Sequence, residues 1–291
     1  MWLKFLLGAS FLLSLLGALV LAPQPRLAHI NDSRDVNEGR RQDGGRLRLL
    51  SWNIGNGDLE SETRAHTDDL AAVAQVIKDN DPDAVALQEL TGEDQLRLLL
   101  THLKDRYRGY VCNPGSADRV NAVLVKRSSG SKAHGDRDPR FNDVPAGDRF
   151  AAAATFNLAK DSPAIVLVSA HADAFSASRR RAFAADVVDW ARGQGKSETV
   201  FIAGDFNFEV STRNKTNLFT DDAQHDSETY AYLLKYFRDL GRDAGETSIN
   251  DRRIDYVFGA PETVSVRQAE VLRGAAVGRM DHWPLLVEVA L

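Results

Sequence analysis

The sequence feature that most constrains the fold is a short apolar run that ends in a glycine and two polar residues. Residues 198–203 read Glu-Thr-Val-Phe-Ile-Ala and lead into Gly204-Asp205-Phe206-Asn207-Phe208. The β-branched and aromatic residues predict a buried strand, and the glycine predicts a turn. Open α/β sheets place their chemistry just beyond the carboxyl ends of their strands. In extended backbone Asp205 and Asn207 would share a face, although an ordinary Asx turn also fits these letters.

The rest of the chain alternates between apolar runs and amphipathic patterns. Strands are predicted at 47–54, 84–87, 108–112, 121–125, 150–158, 165–170, 254–258, 264–272 and 285–289. Helices are predicted at 67–80, 93–103, 176–190 and 228–240, and polar loops at 128–147 and 209–227. Strands that alternate with helices in this way predict an α/β layered domain.

The N-terminus predicts export. Residues 5–22 are uncharged and apolar apart from glycine and serine, and they follow a single Lys4. Such a run is a signal peptide or an N-terminal membrane anchor, and Pro23 directly after a cleavage-like Val-Leu-Ala favours the anchor. Residues 23–45 are polar without apolar periodicity and predict a flexible linker. The folded domain is expected at 46–291, outside the cytoplasm, either membrane-anchored or secreted.

Composition limits the partners that the chain can bind. The 291 residues are 43% hydrophobic and 26% charged, which is ordinary for a globular protein with a large core. The formal net charge is -5, so a nucleic-acid partner would need a local basic patch rather than a global positive field. Cys112 is the single cysteine, so an intrachain disulfide is excluded.

Polar residues recur in or just after the predicted strands. Each alone has an ordinary structural explanation, but burying so many would cost a few kcal/mol apiece unless they pair or bind metal. Carboxylate oxygens suit a hard cation such as Mg²⁺, whereas the histidines lack the close spacing of a zinc helix. The seven residues are Asn53, Glu89, His171, Asp205, Asn207, Asp255 and His282.

Six motifs in order resemble the endonuclease/exonuclease/phosphatase superfamily, which includes deoxyribonuclease I, exonuclease III-type enzymes, neutral sphingomyelinases and inositol polyphosphate 5-phosphatases. The resemblance runs from about Arg46 to the C-terminus. It implies an α/β (α+β) fold, a four-layer sandwich in which two packed mixed β-sheets are flanked by helices. The motifs are Ser51-Trp52-Asn53, Ala86-Leu87-Gln88-Glu89, Ser169-Ala170-His171, Gly204-Asp205-Phe206-Asn207, Arg253-Ile254-Asp255-Tyr256-Val257 and Asp281-His282-Trp283-Pro284.

The resemblance also implies catalytic roles. Asp205 would position or deprotonate the attacking water, and His282 would contact the scissile phosphate. Asp255 would orient His282 through a hydrogen bond, with an ion pair between Asp255 and Arg253 as the alternative. The full catalytic set would be His171, Asp205, Asn207, Asp255 and His282.

Further residues are expected at a metal ion and around the substrate. Asn53, Glu89 and Asp281 would lie at a Mg²⁺ (or Mn²⁺) ion that assists attack on phosphorus. Asn121 and Arg149 are expected to bind the substrate, and the protein is expected to act as a monomer.

Departures from the family motifs make two of the family's activities less favoured for this chain. Glu89 is followed by Leu90-Thr91 rather than the Thr-Lys of exonuclease III-type repair enzymes, and 250–255 lacks the Trp-Cys of inositol 5-phosphatases. The sequence therefore favours an exported phosphodiesterase, most simply a nuclease, whose partner is nucleic acid. The alternatives are a sphingomyelinase-like enzyme acting on phospholipid headgroups, an inositol-phosphate phosphohydrolase, or a non-catalytic membrane-tethered binding module.

Overall fold

A computed structural model gives the fold of one compact unit, Gln42–Leu291. It describes residues 45–55, 65–115, 117–127, 138–159, 162–195, 197–210, 223–249, 251–260, 264–275, 277–278 and 280–291. The predicted leader at 1–22 and nearly all of the predicted linker lie outside these residues. Within the described ranges, no helix is both long enough and apolar enough to cross a bilayer.

Four helices and twelve strands are formed by the described residues. In chain order they are β1 (Arg46–Asn53), α1 (Ala65–Asn80), β2 (Ala84–Leu90), α2 (Glu93–His102), β3 (Tyr107–Val111), β4 (Val120–Lys126), β5 (Arg140–Ala146), β6 (Arg149–Phe156), β7 (Ile165–His171), α3 (Ala177–Arg192), β8 (Thr199–Asp205), α4 (Ala223–Leu233), β9 (Arg238–Asp239), β10 (Asp255–Gly259), β11 (Ser265–Val271) and β12 (Leu285–Ala290).

The strands form two six-stranded mixed sheets. The first sheet has the order β11-β12-β1-β2-β4-β3, and the second has the order β5-β6-β7-β8-β10-β9. Parallel pairs, β1 with β2 and β7 with β8, lie at the centre of each sheet. Their carboxyl ends carry the polar residues that the sequence placed after apolar runs.

The alternation of side chains along β7 and β8 explains why the two sheets stack. Ile165 and Leu167 face the core shared with the first sheet, whereas Val166 and Val168 face a second core that includes Phe183 of α3. Period-two alternation with both faces apolar is the pattern of a strand buried on both sides. Helices α1 and α2 cover the outer face of the first sheet, so the layers are helix, sheet, sheet, helix. The predicted four-layer sandwich is confirmed.

Two predicted elements were wrong. The region 128–147 was expected to be a polar loop, but Arg140–Ala146 forms the edge strand β5, paired with β6. Only Val144 and Ala146 are buried, and the exposed residues are Arg140, Asn142 and Pro145, so the apolar signal is weak. The last helix runs from Ala223 to Leu233 instead of 228–240, because the chain then turns into β9.

Gly204 was predicted to form a turn, but it lies within β8, paired with Ala170 on β7 and Tyr256 on β10. Its φ is 149°, a conformation that L side chains rarely adopt, and a Cβ there would collide with the backbone carbonyl of Ala170 on β7. Replacement by alanine would either break the β7–β8 pairing or displace Asp205, the next residue.

We expect Gly204→Ala to lower the free energy of unfolding by more than about 2 kcal/mol, because steric and backbone strain add. The matched control is Gly92→Ala, which has a φ of 141° but open space around the new methyl group. That control should lose only about 1 kcal/mol. Urea unfolding of both variants measures the difference, and equal losses would contradict the steric argument.

Candidate active site

The candidate site lies where strand ends from both sheets meet. His171, Asp205 and Asp255 occupy one row across three neighbouring strands, since Asp205 is the register partner of both His171 and Asp255. Strand β10 runs antiparallel to β8, so its first residue lies beside the last residue of β8. Asn53 and Glu89, at the ends of β1 and β2, reach the same place from the first sheet.

Asp205 is the buried centre of the site, with 1% of its surface exposed. Its Oδ2 atom lies 3.7 Å from the Nε2 atom of His171 and 3.7 Å from that of His282. Burial raises the pKa of Asp205, and the nearby charge of Asp255 adds to this while His282 opposes it. A carboxylate with a raised pKa is suited to accept a proton from water.

Asn53 connects the two sheets at the site. Its Nδ2 atom donates to Glu89 Oε1 at 2.8 Å and to Asp205 Oδ2 at 3.0 Å, while its Oδ1 atom accepts from the backbone N–H of Gly55 at 2.9 Å. In this orientation the amide NH₂ faces both carboxylates and fixes their separation. Binding a cation through Oδ1 would need the amide to rotate, so the metal-ligand role of Asn53 stays a prediction.

Glu89 leaves its strand through an irregular backbone. The β2–β4 register shifts between Leu87 and Leu90, and Glu89 has a φ of 62°. Burial would raise the pKa of its carboxyl, but the charge of His171 and the hydrogen bond from Asn53 outweigh burial and hold the pKa below its usual value. Glu89 is therefore ionised and partly exposed, as a ligand for a hard cation should be.

His282 and Asp255 form a buried pair. The Nδ1 atom of His282 lies 2.8 Å from Asp255 Oδ2, so the predicted hydrogen bond is present and leaves Nε2 facing Asp205. Burial would lower the pKa of His282, but the charges of Asp255 and Asp205 prevail and raise it to about 10. Arg253, the alternative partner of Asp255, instead lies 2.5 Å from Asp239.

The loop that carries His282 is anchored by short backbone pairings. Trp283 N–H donates to the carbonyl of Thr247 at 2.8 Å, and Ile249 N–H donates to that of Asp281 at 2.9 Å. Thr247 also accepts the backbone N–H of Asp255 at its hydroxyl, at 3.1 Å. Sequence reasoning missed Thr247, because nothing in its neighbourhood of the chain marks it as a partner of two distant motifs.

The other predicted site residues have varied surroundings. Asn207 has a φ of 53°, donates its N–H to Asp205 Oδ1 at 2.9 Å, and donates its side-chain amide to the carbonyl of Ala172 at 3.2 Å. The Asx turn is therefore present, and the extended backbone that would place Asp205 and Asn207 on one face is not. Asp281 Oδ1 lies 4.0 Å from His282 Nε2, and burial raises the pKa of its carboxyl.

The two predicted substrate-binding residues border this cluster: Asn121 lies on β4 opposite the irregularity of β2 that carries Glu89, and Arg149 lies beside the segment that follows His171. Asn121 is buried and donates to the backbone carbonyl of Phe150 at 2.8 Å. Arg149 lies 3.4 Å from Asp173 Oδ2, two residues after His171. Arg149 is thus at the rim of the site, whereas Asn121 holds two strands together; substrate binding by either stays a prediction.

The donor atoms fit a divalent cation. One ligand atom each from Glu89, His171 and Asp205 lie within 4.8 Å of one another, and Asp205, Asp255 and His282 form a second such group. Glu89 and Asp281 supply the oxygen ligands that a hard cation prefers. Because Nδ1 of His282 is taken by Asp255, the group of Glu89, His171 and Asp205 is the better candidate, and metal binding by Glu89 and Asp281 stays a prediction.

The fold and the site together define a metal-dependent hydrolase of the four-layer sandwich class. Residues 50–278 match the model of the Endonuclease/Exonuclease/phosphatase family. The chain belongs to this family and is a metal-dependent phosphoric ester hydrolase. No curated protein matches the sequence significantly.

Several solved structures share this fold. An endonuclease/exonuclease/phosphatase from Bacteroides vulgatus is 18% identical, with a TM-score of 0.64 over 85% of this chain and 99% of that chain. The human Nocturnin catalytic domain, determined with a bound sulfate anion, is 17% identical, with a TM-score of 0.61 over 84% and 94%. A humanized D. rerio TDP2 is 15% identical, with a TM-score of 0.61 over 84% of this chain and 99% of that chain. At these identities the similarity concerns the fold.

The His282–Asp255 pair predicts non-additive kinetics. We expect His282→Ala to lower kcat by about 10³-fold, because a group at the scissile phosphate is lost. Asp255→Asn should lower kcat less, by about 10- to 100-fold, because only the orientation and charge of the imidazole suffer. The double variant should be little worse than His282→Ala, since residues that act as a unit are not additive. If the two single losses multiply, Asp255 does not act through His282.

The assignment of Glu89 as a metal ligand predicts that its replacement weakens metal-dependent hydrolysis. Glu89→Gln keeps the size of the side chain and removes the anionic ligand, so hydrolysis should fall by at least about 10²-fold at limiting Mg²⁺. Thermal unfolding of the metal-free protein should change little. Isothermal titration with Mg²⁺ and Mn²⁺ measures the lost affinity directly, and wild-type activity of this variant at limiting metal would show that Glu89 is not the ligand.

Proposed function

We propose that this protein is an exported or membrane-anchored nuclease that hydrolyses phosphodiester bonds with Mg²⁺ (or Mn²⁺). The observation that carries the choice of nucleic acid is a basic and aromatic rim beside His171. The guanidinium groups of Arg149 and Arg179 lie 3.4 and 3.7 Å from the same oxygen of Asp173. Phe175 follows two residues later and is 71% exposed.

This rim has the parts that a nucleic-acid groove needs. Arginines bind backbone phosphates, and an exposed aromatic ring can stack on a base without sequence preference. Arg149 and Arg179 line a cavity of about 270 Å³ together with Asp148 and Asp173, so a backbone phosphate would compete with two carboxylates for these arginines. The net charge of -5 makes such a local patch necessary, because the protein as a whole does not attract polyanions.

The chemistry at the centre follows from the site geometry. Asp205, buried and with a raised pKa, would accept the proton of the attacking water. His282, held as imidazolium by Asp255, would contact the phosphate and stabilise the charge that develops on it. A cation held by Glu89 and Asp281 would neutralise phosphate charge.

The proposed location rests on the apolar run at 5–22, which would tether or export a monomeric catalytic domain through the polar segment that follows. Membrane and extracytoplasmic fractions of cells that express the full chain should contain the protein. Recovery of the full-length protein in the soluble cytoplasm would contradict this location.

A second candidate substrate is a phospholipid headgroup. Ile249 is 54% exposed and is joined by a backbone hydrogen bond to Asp281, the residue before His282. An enzyme that reaches a headgroup in a bilayer needs apolar residues at the mouth of its site. The arginine pair beside Phe175 favours nucleic acid over this alternative.

A substrate panel tests the proposal. The full-length protein with Mg²⁺ or Mn²⁺ should cleave plasmid DNA or RNA faster than sphingomyelin vesicles or inositol phosphates. Arg179→Ala and Phe175→Ala should each raise KM for an oligonucleotide by about 10-fold, from lost phosphate contact or stacking, and leave bis(p-nitrophenyl) phosphate unaffected. Arg97→Ala, an exposed arginine on α2, is the control. Preferential cleavage of sphingomyelin, or equal effects of all three variants, would overturn the choice of nucleic acid.

A further inference from the structure

Three consecutive arginines at the start of α3 have different surroundings. Arg179 is 65% exposed near Asp173, and the guanidinium of Arg181 lies 3.7 Å from the centre of the Tyr232 ring. Arg180 is 1% exposed. A buried arginine needs partners for its donors, since an unpaired charge in the interior is strongly unfavourable.

The partners of Arg180 belong to two separate segments. Its Nη1 atom donates to the backbone carbonyls of Asp173 and Ala174 at 3.2 and 3.4 Å. Its Nε and Nη2 atoms donate to Asp226 Oδ1 at 3.1 and 2.7 Å. One planar guanidinium therefore ties the loop after β7 to helix α4.

The contacts continue from Asp226 to the far side of the site. Asp226 Oδ2 accepts the backbone N–H of Glu209 at 3.4 Å. Glu209 Oε2 in turn accepts the backbone N–H of Arg253 at 2.6 Å. Both carboxylates are buried, so water does not compete freely for these bonds.

In each of three segments, the residue bonded along this path lies two positions in the sequence from a predicted catalytic residue. Asp173 follows His171 by two residues and Glu209 follows Asn207 by two, while Arg253 precedes Asp255 by two. The path therefore joins the three segments that carry His171, Asn207 and Asp255. Its members are Asp173, Arg180, Asp226, Glu209 and Arg253.

We propose that Arg180, Asp226 and Glu209 are positioning residues for phosphoric ester hydrolysis, whose contacts set the spacing among the His171, Asn207 and Asp255 segments. Stability alone is a weak explanation, because well-packed apolar residues often replace a buried ion pair without loss. A fixed spacing between catalytic groups is a stronger one, since displacements near 1 Å cost about 10²-fold in rate. The inference rests on the hydrolase activity of the family and not on nucleic acid as the substrate.

The test uses the full-length protein, saturating Mn²⁺ and bis(p-nitrophenyl) phosphate. Arg180→Lys keeps the charge but lacks the planar fork that reaches both segments, and Asp226→Asn keeps the shape but weakens the pair. For both we expect kcat per folded molecule to fall by about 10- to 100-fold while KM changes less than about twofold, because binding groups remain and alignment is lost.

A control ion pair separates positioning from stability. Asp81 pairs with Arg106 and Lys126 just before β2, at the end of that strand opposite Glu89. Asp81→Asn should lower the melting temperature and leave kcat per folded molecule unchanged. If Arg180→Lys and Asp226→Asn also lower only the melting temperature, the pair is structural and the proposal is wrong.

A third variant covers the case in which the ion-pair variants do not fold. Glu209→Asp leaves Arg180 and Asp226 in place and withdraws the carboxylate from the Arg253 N–H. It should lower kcat without raising KM, and a wild-type kcat would overturn the proposal. Hydrolysis of the small diester by the wild-type protein, with no cleavage of DNA or RNA, would refute the nuclease assignment and leave this inference intact.

Discussion

The structure depends on keeping one carboxylate, Asp205, inside the protein. Removing its charge from water is costly, and the neighbouring Asp255 makes it more so. The surroundings offset this cost with an amide from Asn53 and imidazoles 3.7 Å away on two sides. These partners come from β1 in one sheet, from β7 in the other, and from the loop before β12, so the two-sheet sandwich is what allows them to meet. The pairing of His282 with Asp255 similarly makes a buried histidine cationic, which an isolated one would not be.

Much of the fold and of the site could be predicted, because the informative signals were local. An apolar run of five to eight residues fixes a strand, and the polar residue that ends it is placed at a sheet edge by chain geometry alone. Asn53, Glu89, His171 and Asp205 were found in this way. The family resemblance added Asp281 and the partnership of Asp255 with His282.

What could not be predicted involves contacts between residues far apart in the chain. Arg180 stands in a run of three arginines that suggests a solvated helix face, and only the packing of α3 against α4 buries it. Asp226 fell in what was expected to be a polar insertion. Strand β5 escaped notice because an edge strand exposes one face and has little apolar signal. In each case the neighbouring element, rather than the local sequence, determines the surroundings.

The left-handed backbone of Glu89 has a consequence for how the protein could evolve. A φ of 62° at a glutamate costs about 1–3 kcal/mol relative to a residue that tolerates this conformation, such as glycine or asparagine. Substitution of Glu89 by either residue would relieve the backbone strain and remove the carboxylate at the same time. Selection for a sturdier fold and selection for turnover therefore oppose each other at this position. In a homologue no longer selected for catalysis, we expect Glu89 to be replaced early, with a gain in thermal stability.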